Sequence, residues 1–237
     1  MKRILYICIS SVVLLSWMVS CAPVHRPTVI NAPLMKKRGD LQLSGHGSVA
    51  GYQVNGAVAV SDHVGMVVNS VVAGSGQSEE EKNGRKESID NEMRQIEGGL
   101  GFFNAFDFNV VVELYGGFGY GYSKTLSDTG TYPDKVEARG YRYYAQPALG
   151  YSGDFFVAGL ATRVLYLDLY DYHDHSNGDT SGHTGLFYEP AVFVRLGVKS
   201  VKVESQIGLS MRDRGDIDYV PIHFSTGVHF SVNLFSF

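Results

Sequence analysis

The sequence predicts an all-β chain: a closed antiparallel up-and-down transmembrane β-barrel of about ten strands, with eight as the alternative count, preceded by a signal peptide and a tether. Three observations predict it. From Asp40 onward apolar residues recur at every second position, and a helical period appears nowhere convincingly. The polar side of that alternation carries glycine, alanine, glutamine and single Glu or Arg residues, not the Lys, Thr and Glu of a water-facing sheet. Short and long connections alternate along the chain, as periplasmic turns and outer loops do in membrane barrels.

The N-terminus is read first. Met1, Lys2 and Arg3 make a basic start, and Ile4 to Val19 is almost entirely apolar. That run is shorter than the roughly 20 residues of a spanning helix. With small residues after it, residues 1–20 read as a secretory signal peptide. Cys8 would leave with the signal, so Cys21 becomes the sole thiol and no intramolecular disulfide can form. The stretch Met18-Val19-Ser20-Cys21 resembles the lipobox of bacterial lipoproteins. The resemblance implies cleavage just before Cys21, with a diacylglycerol on its thiol and an acyl chain on its amine. Ala22 is not acidic, so the resemblance favours the outer membrane. Residues 21–39 are then a lipidated tether. Within it VHRPTVINAPLMKK, residues 24–37, has two prolines and no clean periodicity.

Composition narrows the functional classes. The chain has 20 Lys and Arg against 24 Asp and Glu, and losing Lys2 and Arg3 makes the balance more acidic. That argues against a nucleic-acid partner. No second apolar run reaches 18 residues, so no spanning helix follows. Residues 40–237 suit one all-β domain, rich in glycine (28), tyrosine (15) and phenylalanine (13).

Ten strand-length segments are expected at 40–48, 51–61, 64–75, 93–104, 108–123, 137–151, 154–169, 185–198, 200–211 and 219–236. Each approaches or exceeds the 9–11 residues of a spanning strand, about what a bilayer requires. Tight connections fall near Asp62, Phe106, Gly153 and Lys199. Long polar ones fall at 76–92, 124–136, 170–184 and 212–218, with Gln77 to Glu92 too polar to bury a face and read as loop. The connection at Ser48 to Gly51 is short where a long one is expected. An even count returns the chain to the side where it began, and a lipid in the periplasmic leaflet would put both barrel termini there.

Alternation alone also fits a soluble lipocalin-like barrel or a sandwich, so the two faces must decide. Ile96, Leu114, Phe118, Tyr143, Leu160, Val194 and Phe230 fall on the apolar phase. Tyr52, Tyr122, Tyr143, Tyr166, Tyr188 and Phe230 are candidates for interfacial girdles. The stretches QIEGGLGFF, VVELYGGFGYG, YYAQPALGY, LATRVLYL and FYEPAVFVRLG resemble small outer-membrane β-barrel lipoproteins of the Bacteroidota type. Phe237 resembles the terminal signal read by barrel-assembly machinery. The resemblance implies outer-membrane lipids, lipopolysaccharide, and the barrel-assembly and lipoprotein-sorting machineries as partners. A further envelope protein is a candidate partner.

The opposite phase carries Glu97, Glu113, Glu189, Glu204, Arg142, Arg163 and Arg195. Buried charges must be paired, so an interior carboxylate–guanidinium network is expected, with a narrow ion path as the alternative. His46, His223 and His229 are expected inside. His229 and Ser231 resemble the His–Ser pair of lipid A deacylases, but their phase is the lumen. At the outer end of the seventh strand lie Asp168, Asp171, His173, Asp174 and His175, followed by Asp179 and His183. Asp171, His173, Asp174 and His175 are the candidate metal ligands. An Asp–His pair at a barrel rim also resembles the omptin proteases, with Asp90 and Asp216 as loose second-pair candidates. The plainest reading of the patch is a hydrated loop. No cofactor beyond the lipid on Cys21 is expected, and a structural or interaction role is expected over an enzyme.

Overall fold

The computed structural model describes residues 23–74, 78–82, 85–128, 133–175 and 178–235. The expected signal peptide, Cys21 and Phe237 lie outside the described residues. The strands are β1 (Asp40–Ser48), β2 (Gly51–Ala59), β3 (Val64–Ala73), β4 (Ser78–Lys82), β5 (Arg85–Ala105) and β6 (Val110–Asp128). They continue with β7 (Pro133–Ser152), β8 (Phe156–Asp174), β9 (His183–Val198), β10 (Val201–Leu209), β11 (Met211–Gly215) and β12 (Ile222–Asn233). The sole helical element among the described residues is a single 3-10 turn, Asp107–Asn109.

All pairings between strands are antiparallel, and apart from the short β4 and β11 the strands pair in chain order. The chain of pairs runs from β10 through β12, β1, β2, β3, β5, β6, β7 and β8 to β9. Pairing of β9 with β10, Val198 opposite Val201, closes the ring. β11 prolongs β10 beyond Ser210 along β9, and β4 folds back on the start of β5. The result is a closed ten-strand barrel.

Each of the ten expected segments becomes a strand, but β5 to β8 run well past their expected ends. Residues 77–92, read as loop, are mostly ladder: Ser78 pairs Ile89, and Ser88 pairs Asp128. Periodicity detects a strand by its buried face. The stretch QSEEEKNGRKESIDNE is too polar to show such a period. The stretches 124–136, 170–184 and 212–218 shorten for the same reason. The connection between Ser48 and Gly51 is the short turn Val49–Ala50, as the sequence reads, although it lies at the end bearing the long hairpins, with Gly51 at φ 112.

The wall is inverted relative to a water-soluble fold. Ile96 is 57% exposed and Leu114 52%, while Glu97 is 1% exposed. Phe118, Leu160 and Phe230 also face out, and Val194 is half-buried on the same phase. Glycines on the inner phase make room for large inward side chains. A Cβ at Gly117 would lie 2.6 Å from the Tyr144 ring, and one at Gly101 would overlap the Tyr115 ring.

The interior is filled by the chain's own N-terminal segment. Residues 24–35, read from the sequence as tether, run through the lumen; Val29, Ile30, Ala32, Leu34 and Met35 are essentially inaccessible. One end of this plug is tied to the β11–β12 connection: the His25 amide donates to the Asp218 carbonyl and the Val220 amide to the His25 carbonyl. The other end meets the short turns. There the Lys36 ammonium donates to Asn109 Oδ1 (2.9 Å), and the Asp40 carboxylate accepts the Lys36 and Lys37 amides. Gly39, at φ 84, then reverses the chain into β1.

Candidate functional site

The plug meets the wall through side-chain amides. A segment that pairs with no strand must find partners for its N–H and C=O groups elsewhere. Gln53 accepts the Val29 amide (2.9 Å) and donates to the Val29 carbonyl (2.8 Å). Gln206 does the same for Ile30, at 2.8 and 3.1 Å. Gln146 donates to the Asn31 carbonyl, and Asn31 donates to Asn69 Oδ1 and the Gly56 carbonyl. Each wall glutamine supplies what a neighbouring β-strand would supply. Pro27 and Pro33 have no N–H, which lowers the number of partners the wall must provide.

The charged residues gather at two levels. In the half nearer the long hairpins, Arg142 Nε lies 2.7 Å from Glu97 Oε1, and Arg163 Nη1 lies 3.3 Å from Glu97 Oε2. Arg163 also donates to Gln146 and to the plug's Thr28 hydroxyl, and its guanidinium lies 4.9 Å from the Tyr144 ring centre. Glu189 sits directly opposite Arg163 in register, yet its contact is with the plug: His25 Nε2 lies 2.8 Å away. In the half nearer the short turns, Arg195 bonds Glu204 at 2.9 Å, its register neighbour. Arg195 also donates to the Ala32 and Pro33 carbonyls.

Glu113 departs from the expected carboxylate–guanidinium pattern: its carboxylate accepts the Leu34 amide at 2.9 Å. Leu34 sits at φ 54, a left-handed conformation that a residue with a Cβ adopts only when its surroundings hold it there. Among the described residues, the buried acidic side chains are Glu97, Glu113, Glu189 and Glu204, against the basic Arg142, Arg163, Arg195 and Lys202. His46, His223 and His229 are buried, with His229 Nδ1 3.4 Å from Glu204 and Ser231 half-exposed on the same inner phase. Beside His25 and Arg142 a cavity of about 30 Å³ remains, room for one or two waters.

The plug was the part that sequence reasoning missed. Its signal was indirect: an inner face with Gln53, Gln146, Gln206, Asn55 and Asn69 has more amides than its charged groups can occupy.

At the rim, His173 Nε2 lies 2.9 Å from Asp171 Oδ1, and Arg139 lies 3.6 Å from the other oxygen. The His173 and His175 rings are 6.4 Å apart. A separate group forms where Asp179 accepts from the Ser181 amide and hydroxyl and lies 3.1 Å from His183. Those hydrogen bonds hold the Asp179 carboxyl below its ordinary range. Asp174 lies in the same hairpin, bridged to Asp179 through the backbone. No group of three or more metal-ligating side chains comes together among the described residues. Asp216 is exposed and pairs with Arg212 at 3.9 Å, and the Asp90 side chain lies outside what is described.

Aromatic residues crowd both edges of the apolar wall. Tyr120, Tyr141 and Tyr170 form a chain of ring contacts on the long-hairpin side. Phe106, Phe108, Tyr151, Phe155, Phe156 and Phe235 lie exposed on the short-turn side. Tyr143 and Tyr166, expected in a girdle, face each other at mid-wall instead.

No family model matches the chain, and no curated protein matches it significantly.

Proposed function

We propose that the protein is a lipid-anchored outer-membrane β-barrel with a structural or interaction role in the cell envelope, sealed by its own N-terminal segment. The observation that carries this reading is the inverted wall. Its outer face is leucine, valine, isoleucine and phenylalanine, and its inner face holds the ion pairs and amides. Exposing so much contiguous apolar surface to water is unfavourable for a soluble chain, at roughly 25 cal/mol per Å². On β6 the outward apolar phase runs from Val112 to Tyr122. Ten steps at about 3.3 Å, tilted about 40°, give about 25 Å, the height of an outer-membrane apolar band. Aromatic belts at both edges of that band support the same reading.

The filled lumen supports a closed barrel over an ion path. The plug occupies the axis, and its backbone is bonded to the wall on several sides. The envelope partner of such a barrel would be met by its long hairpins. The test is electrophoresis of detergent-extracted protein with and without boiling. A membrane barrel migrates differently when unheated, and identical migration of the two samples would remove this reading.

A further inference from the structure

The direction in which the plug is threaded bears on where the lipid sits. The plug enters the barrel at the end bearing the long hairpins, where His25 is bridged to Tyr219 in the β11–β12 connection. It leaves at the end bearing the short turns, where Lys36 reaches Asn109 between β5 and β6. β1 then climbs back from the short-turn end, paired along its whole length with β12, Asp40 opposite Asn233 and Ser48 opposite Ser225. Pro23 and Val24, the first described residues, therefore lie at the long-hairpin mouth.

Building on the lipid-anchored barrel proposed above, we infer that the acyl group on Cys21 is held on the same side of the membrane as the long hairpins, and across it from the short turns. With long hairpins facing outward, as in known bacterial barrels, that is the outer leaflet. It is opposite to the periplasmic leaflet that the lipobox resemblance alone suggests.

Chain length decides the matter. Cys21 is three residues from Val24, a reach of about 11 Å at full extension. Val24 packs with Leu167, Leu169, Phe187 and Ile217 at the long-hairpin mouth. The apolar band is about 25 Å tall, and the lumen below Val24 is taken by the plug itself. The chain has neither the length nor the room to double back.

The test uses full-length protein in a Gram-negative host, with an epitope inserted after Ala22, at Gly178 or at Ser200 in separate variants. Antibody binding is compared on intact and permeabilised cells. An alkyne fatty acid, with Cys21→Ser as control, reports acylation, and unheated gel migration reports folding. Expected are fatty-acid labelling lost in Cys21→Ser, epitopes after Ala22 and at Gly178 that bind antibody on intact cells, and a Ser200 epitope that binds only after permeabilisation. A labelled protein whose Ala22 epitope behaves like Ser200 rather than Gly178 overturns the inference and leaves the lipid-anchored barrel standing. Absence of labelling overturns the lipid reading itself, and the inference with it. Inaccessible epitopes at both Ala22 and Gly178, with Ser200 exposed, keep lipid and hairpins together but contradict the outer-leaflet assignment.

Discussion

Glu97 and Arg142 meet at 2.7 Å although their strands do not touch: β6 lies between them, and the residue of β6 in line with both is Gly119. A Cβ there would fall 2.6 Å from Glu97 Cγ, so the ion pair closes over the one residue type that leaves it space. Gly119→Val is expected to wedge the pair apart. Stranding a buried charge costs about 3–5 kcal/mol, read as a drop in the temperature at which the unheated gel form disappears. An unchanged temperature would show that the pair does not depend on the gap. Replacing both partners at once, Glu97→Leu with Arg142→Met, is expected to cost less than Glu97→Leu alone, which strands Arg142 as well as Arg163.

Glu113 differs from the other carboxylates in what it holds. Glu113→Gln keeps an oxygen for the Leu34 amide and should leave stability near that of the parent protein. Glu113→Leu leaves that N–H buried and unpartnered, a loss of about 1–3 kcal/mol. Equal effects of the two variants, measured by denaturant midpoint in detergent, would mean that charge rather than the hydrogen bond matters.

Removal of residues 24–35 should unblock the lumen. In planar bilayers the parent protein is expected to stay closed, and the deletion variant, refolded in detergent, to show discrete conductance steps. A deletion variant that folds by gel shift yet conducts no more than its parent would mean that the wall collapses onto its own axis.

Much of the wall was legible because its outer face and its lumen impose opposite demands on neighbouring residues. Ile96 beside Glu97, or Leu114 beside Glu113, announces both strand and phase. The hairpin ends were not legible, since a stretch as polar as that around Ser88, paired with Asp128, carries no apolar alternation. The plug was illegible for another reason. Its partners are side chains scattered over the wall, from Gln53 to Gln206, so it follows no period of its own. Its prolines, which read as tether, suit a strand that receives no ladder. The rim groups split because His173 reaches Asp171 within β8, while Asp179 is drawn to Ser181 and His183.

The Asp179 group gives a pH response at the rim. Hydrogen bonds from Ser181, chiefly, and contact with His183 hold its carboxyl below the ordinary 3.8. A depressed carboxyl contributes order that is present above 3.8 and is lost as pH falls through the lower folded value. Proteolysis of the β8–β9 hairpin by an acid-active protease should rise below that value in the parent protein. In Asp179→Asn the rise should be absent, and a rise of the same size in the variant would assign the response to another group.

The account rests on which side of the wall touches hydrocarbon, and a single fluorophore reads that directly. The chain's one tryptophan, Trp17, falls within the expected signal peptide, so Phe118→Trp and Phe187→Trp each place a lone reporter on the mature wall, outside and inside respectively. In vesicles of brominated phospholipid the fluorescence at 118 should be strongly quenched and that at 187 should not. Quenching at 187, or none at 118, would contradict the assignment of the apolar face to the membrane.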